Sequence, residues 1–172
     1  MAGAQTEEKL LMTQKTLSDV LWHERDVLEE LLYRLDVQCL LLAAGRSDYV
    51  ARAAREAEDA ARSVQTVELA RATESDSVAT SLGLNPQAPL RVIAAASPAP
   101  WNSIFDEHRT ALIDLTTRIK KANDQARSEL ASSSRALQEL VATLTDAAPT
   151  YDRDGKVRFD TPPSTGIINT SL

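Results

Sequence analysis

Thr6–Ala44 reads TEEKLLMTQKTLSDVLWHERDVLEELLYRLDVQCLLLAA, a run without glycine or proline. Those two residues are the strongest local breakers of regular structure, so the run predicts one long helix. Leu10, Leu17, Leu21, Leu28, Leu31, Leu35 and Leu42 recur at close to a heptad spacing. Val20, Val27, Leu32 and Cys39 widen the stripe beyond a two-stranded seam, which fits a bundle of at least three helices. Gln14, Glu24 and Gln38 also fall on the seam. There they weaken packing, and they either fix the alignment of the helices or mark places where the bundle is incomplete. Thr6 is the expected cap, with Glu7 and Glu8 near the positive end of the helix dipole.

Working outward, Gly45 is the only glycine between Thr6 and Leu82, and it suits the left-handed position that closes a helix. Ser47 or Asp48 is then expected to cap a second helix over about 48–82, ending at Gly83. Its inner face is thin and rich in small residues: Val50, Ala53, Ala57, Ala60, Ala61, Val64, Val67, Val78 and Leu82. Glu58 and Arg62 are spaced for an i,i+4 ion pair. Pro86, Pro89, Pro98 and Pro100 break up the next segment, with room for a short helix at 90–96. A third long helix follows over 101–146, closed by Pro149. The stripe of this helix includes Trp101, Ile104, Phe105, His108, Leu112, Leu115, Ile119, Ala122, Ala126 and Leu130. The fold expected is all-α: an elongated antiparallel bundle of three long helices over 6–146, with a short linker helix. Residues 147–172 are polar, hold Gly155, Gly166 and Pro162-Pro163, and read as a flexible, disordered tail. Asp152–Lys156 could turn a short hairpin between Tyr151 and Val157–Phe159, but an isolated hairpin is marginal in water, and a mobile tail is the expectation.

The 172 residues suit one domain with a real core, and the net charge of −6 speaks against phosphate-binding partners such as nucleic acid. Aromatic residues make up 4%, so leucine and alanine carry the apolar content, as in helical bundles. One cysteine, Cys39, allows no internal disulfide and reads as a small buried side chain. No secretory signal and no membrane-spanning run is visible, so a soluble cytoplasmic protein without membrane insertion is expected.

Catalytic and metal motifs are missing. His23-Glu24 lacks a second histidine four residues on. Val20 and Phe105 stand three residues before the two histidines, where a di-iron bundle would need glutamate. His108 on the apolar stripe reads as a hydrogen-bonded core or boundary residue. The expectation is a binding protein, not an enzyme, with no cofactor and no metal; a client-free, self-assembling coiled-coil scaffold is the alternative.

At 1.5 Å per residue the helices span about 58, 52 and 68 Å. With the third helix running parallel to the first, the Gly45 turn falls near residue 136. Beyond it Leu137, Leu140, Val141 and Leu144 continue one stripe with little to pack against, and Ser132–Ser134 invites a bend. Together with Leu130 they are the expected surface for another protein's helix. Burying four such side chains would contribute on the order of 6–10 kcal/mol gross, much of it offset by ordering.

Several strings resemble the FlgN family of flagellar export chaperones. Trp22-x-Glu24-x-x-x-Leu28-x-x-Leu31-Leu32 is similar to its first helix, and Leu42-x-x-Gly45-x-x-Asp48 to its turn. Glu68-Leu69-x-Arg71 and Leu82-Gly-Leu84 are similar to the end of its second helix. Leu112-x-x-Leu115-x-x-x-Ile119-x-x-x-Asn123 resembles its third, although Ala126 and Arg127 stand where relatives often carry a second asparagine. The resemblance spans roughly 8–145. It implies a cytoplasmic chaperone, monomeric or at most a weak homodimer, that binds the hook–filament junction proteins FlgK and FlgL. It would shield their terminal helices and deliver them to the flagellar type III export apparatus. Tyr151, just past the last long helix, becomes the candidate contact to the export gate.

Overall fold

The computed structural model describes residues 2–146 together with 150–151 and 157–158, with side chains described from 7 to 143. Four helices follow in order: α1 (Ala2–Ala43), α2 (Ser47–Ser81), α3 (Leu90–Ala96) and α4 (Trp101–Asp146). Two two-residue strands, β1 (Thr150–Tyr151) and β2 (Val157–Arg158), pair antiparallel with Tyr151 opposite Val157. The all-α bundle read from the sequence is the fold. The remainder of the tail expected at 147–172 lies outside the described residues.

The helix ends differ from expectation at two points. α1 begins at Ala2, so Thr6 lies inside the helix and does not cap it. Ala2, Ala4 and Gln5 are good helix formers, and the single Gly3 among them does not stop the run. At the head of α2, Arg46 occupies the cap position without a side-chain hydrogen bond. Neither Ser47 nor Asp48 caps, because the α1 closure already sets the path of the chain there. Gly45 sits at φ +66°; its N–H donates to the Leu42 carbonyl at 3.0 Å and the Arg46 N–H to Leu41 at 2.9 Å. That crossed pair is a Schellman closure. The same closure ends α2, where the Gly83 N–H donates to Thr80 and the Leu84 N–H to Ala79. Arg62 pairs with Asp59, one residue over from the Glu58 expected.

The chain divides into two compact units, Met1–Leu130 and Ala131–Leu172. The division falls inside α4, ahead of the 146/147 boundary expected. The first unit holds two clusters of buried side chains. One gathers Leu17 and Leu21 of α1, Val78 and Ala79 of α2, Ile93 and Ala94 of α3, and Phe105 of α4. The other gathers Leu28, Leu31, Leu32 and Leu35 of α1 with Ala57, Ala60 and Val64 of α2 and Leu115 and Ala122 of α4. Early α1 thus meets late α2, so these two helices run antiparallel. α4 runs parallel to α1: His108 lies beside Ser18 (3.4 Å), and the Cys39 thiol donates to the Ala122 carbonyl (3.5 Å). The alanines of α2 let its backbone approach α1 closely, which replaces side-chain bulk with proximity.

The polar seam residues of α1 are all buried: Gln14 at 0%, Glu24 at 4% and Gln38 at 7% exposure. Glu24 lies between the two clusters and is answered from α2 by Arg71, whose Nε donates to Oε1 at 3.0 Å. Burial raises the Glu24 pKa above 4.5; the charge and hydrogen bond of Arg71 offset part of this, and Glu68 adds to it. A carboxyl with a raised folded pKa holds its proton more tightly folded than unfolded. Its contribution to stability therefore declines as pH rises from about 4.5 through the raised value. Glu24→Gln should remove that decline. Urea midpoints of parent and variant, measured from pH 4 upward, should converge at the acid end and separate in the variant's favour toward neutrality. Parallel curves would show that the carboxyl does not titrate differently on folding.

Candidate functional site

The stripe singled out on α4 splits in two by burial. Phe105, His108, Leu115, Ala122 and Ala126 are buried within the first unit. After Ala126 burial stops: Leu130 is 41% exposed, Leu137 63%, Leu140 55% and Val141 60%. Every side chain from 131 to 143 is exposed. The transition thus comes earlier than the residue near 136 expected from helix lengths. Ser132–Ser134 does not break the helix, which continues to Asp146. Exposed hydroxyl side chains can hydrogen-bond to the preceding turn, as Thr143 does to the Leu140 carbonyl at 2.8 Å, so helix geometry survives them. The side chain of Leu144 lies outside the described residues. So does that of Tyr151, whose backbone forms β1.

Within the second unit Leu137 and Val141, four residues apart, share one helix face, with Leu140 at its edge. Such a row can be read by the apolar face of another helix through i, i+3 and i+4 contacts. Arg135 and Glu139 stand on the other side, where they keep the helix soluble.

A groove in the first unit was not foreseen. A groove of about 560 Å³ opens over Leu28, Leu31 and Leu35 of α1, walled by Ala57, Ala61 and Val64 of α2 and Ile119 of α4. Glu58, Glu68 and Lys120 stand at its rim. The signal for it was the thin face of α2: its alanines leave space beside the buried leucines of α1. Glu58 is spared for the rim because Arg62 turns to Asp59.

Cys39 is buried, and loss of hydration raises its thiol pKa, with Asp36 and Glu129 adding to the effect. It is a poor nucleophile in that state. Among the described residues no cluster of His, Cys, Asp and Glu could hold a metal ion. Nor is any described helix long and apolar enough to cross a membrane.

Comparison with known proteins places this arrangement. No curated protein and no solved structure matches the chain. A family model described as FlgN protein matches residues 12–158, which takes in most of α1, all of α2 and α3, the whole of α4 and the β1–β2 pair. The chain belongs to the FlgN family, a family of flagellar export chaperones rather than enzymes.

Proposed function

We propose that the chain is a cytoplasmic export chaperone for hook–filament junction proteins of the FlgK and FlgL type. It covers an amphipathic terminal helix of the client, prevents premature assembly, and delivers the client to the flagellar type III export gate. The observation that carries this reading is the exposed row Leu130, Leu137, Leu140 and Val141, with Leu144 continuing it in sequence. Monomeric proteins rarely leave a contiguous apolar patch uncovered unless it binds something. Four side chains of this size support an affinity in the micromolar to high-nanomolar range once ordering losses are subtracted. A chaperone that must release its cargo works in that range.

Tyr151 is proposed as the gate contact: an aromatic side chain with a polar tip, just past α4, suits a short linear motif. The self-assembling scaffold is disfavoured by one observation. Gln14, Glu24 and Gln38 are buried inside the chain's own bundle, so the α1 seam is already used.

The test is co-purification with a hook–filament junction protein, read by size exclusion with light scattering. A complex of chaperone and client is expected, and Tyr151→Ala should keep the client while weakening capture by the export gate. A tight dimer of the chain alone that ignores the client would support the scaffold reading instead.

A further inference from the structure

Trp22 and Trp101, the only two tryptophans of the chain, line one cleft of about 370 Å³ between α1 and the start of α4. At its base His108 is 2% exposed and Ser18 8%. Ser18 Oγ lies 3.4 Å from His108 Nε2, and the Trp22 ring stands edge-on to the imidazole with centroids 5.0 Å apart. The Arg25 guanidinium lies over the Trp22 ring at 4.3 Å. Two residues that line the cleft each hold a buried nitrogen without a hydrogen-bond partner, His108 Nδ1 and Arg25 Nε. Leaving such a group unsatisfied costs about 1–3 kcal/mol each.

The two nitrogens have the same chemistry in the tautomer of His108 whose Nε2 accepts from Ser18. An arginine Nε can only donate. A neutral histidine whose Nε2 accepts from the Ser18 hydroxyl carries its proton on Nδ1, which makes Nδ1 a donor as well. Burial and the neighbouring Arg25 charge keep His108 below its usual pKa of 6.5, which favours that neutral form; Glu107 opposes them weakly. Two donors and no acceptor call for an oxygen with several lone pairs. Of the acids at the cleft, Asp19 is taken by Lys15 at 2.9 Å and Glu107 is exposed at the rim.

We propose that this cleft binds a carboxylate carried on a flat apolar body, its oxygens on Arg25 Nε and His108 Nδ1 and its body between Trp22 and Trp101. One carboxylate has enough lone pairs for both donors, so a monocarboxylate fits best. Its source is either a free aromatic acid or an acidic side chain beside an aromatic one on a partner peptide.

The experiment uses intrinsic tryptophan fluorescence of the full chain, which reports on this cleft alone because both fluorophores line it. Benzoate and the peptide acetyl-Phe-Glu-amide are titrated, with benzamide and acetyl-Phe-Gln-amide as neutral counterparts. A saturable change with either carboxylate, at least tenfold tighter than its neutral counterpart, is expected. Tighter benzoate assigns a free acid, and tighter peptide assigns a protein partner. Arg25→Gln and His108→Asn should each weaken binding at least tenfold, while Leu69→Ser on the exposed face of α2 should leave it unchanged. If a variant unfolds by circular dichroism, the comparison of acid with amide on the parent chain still decides. A flat titration, or equal response to acid and amide, would show that water alone satisfies the two nitrogens and would overturn the proposal.

Discussion

Glutamate at both Leu137 and Leu140 is expected to abolish capture of the junction proteins and to leave the thermal midpoint almost unmoved. The two halves of that result come from different physics. Each leucine buried against a client helix contributes roughly 1.5–3 kcal/mol. Replacing both with charges forfeits that and forces a carboxylate into an apolar contact, so affinity should fall at least about a hundredfold. Within the chain itself the two side chains are 63% and 55% exposed, so nothing packed is lost. Leucine and glutamate have similar helix propensities, and surface substitutions of this kind usually stay within about 0.5 kcal/mol. Calorimetric titration with the purified client and a thermal melt by circular dichroism read the two quantities separately. A variant that melts many degrees lower would show the row to be core, and one that still binds tightly would remove it as the client surface.

The opposite pattern is expected at Phe105. Its ring is fully buried in the cluster that draws on all four helices, and Trp101 lies beside it with ring centroids 5.8 Å apart. Phe105→Ala should cost about 3–5 kcal/mol, from lost transfer free energy plus the cavity left among side chains that cannot all collapse. A large fraction of a typical domain's stability would go, and a urea melt should show a much earlier midpoint. Any loss of client binding in this variant should be recovered by cooling or by a stabilising osmolyte, because the binding row itself is intact. A loss of less than about 1 kcal/mol would mean that the cluster repacks around the gap.

Much of this was legible in the chain. Leucine spacing and the absence of breakers over 6–44 give the long helix, and a glycine with nothing but helix formers around it gives the turn at 45. The direction of α4 was left open by the loop over 85–100 and only supposed parallel to α1; the pairs Ser18–His108 and Cys39–Ala122 agree with that supposition. What escaped was whatever depends on partners brought together from distant residues. The start of α1 was missed because Thr6 is a good capping residue, whereas Ala2, Ala4 and Gln5 carry the helix through Gly3. The groove over Leu28 and Leu35 depends on how little α2 covers, which alanine content hints at but cannot locate. The pairing of Trp22, Arg25 and His108 in one cleft joins α1 to α4, and no spacing within either helix announces it.

The buried pair of Glu24 and Arg71 has a consequence for which alignments of α1 and α2 are open to the chain. Leucine and alanine stripes are self-similar, so an antiparallel pair could slide by seven residues and still present apolar faces to each other. Such a slip would set Glu24 opposite Val64 or Val78, one heptad to either side of Arg71. A buried carboxylate stripped of its cation costs about 3–5 kcal/mol, enough to make either slipped form a minor species below one part in a hundred. One ion pair at the waist of a repetitive bundle thus singles out one alignment from a ladder of near-equivalents.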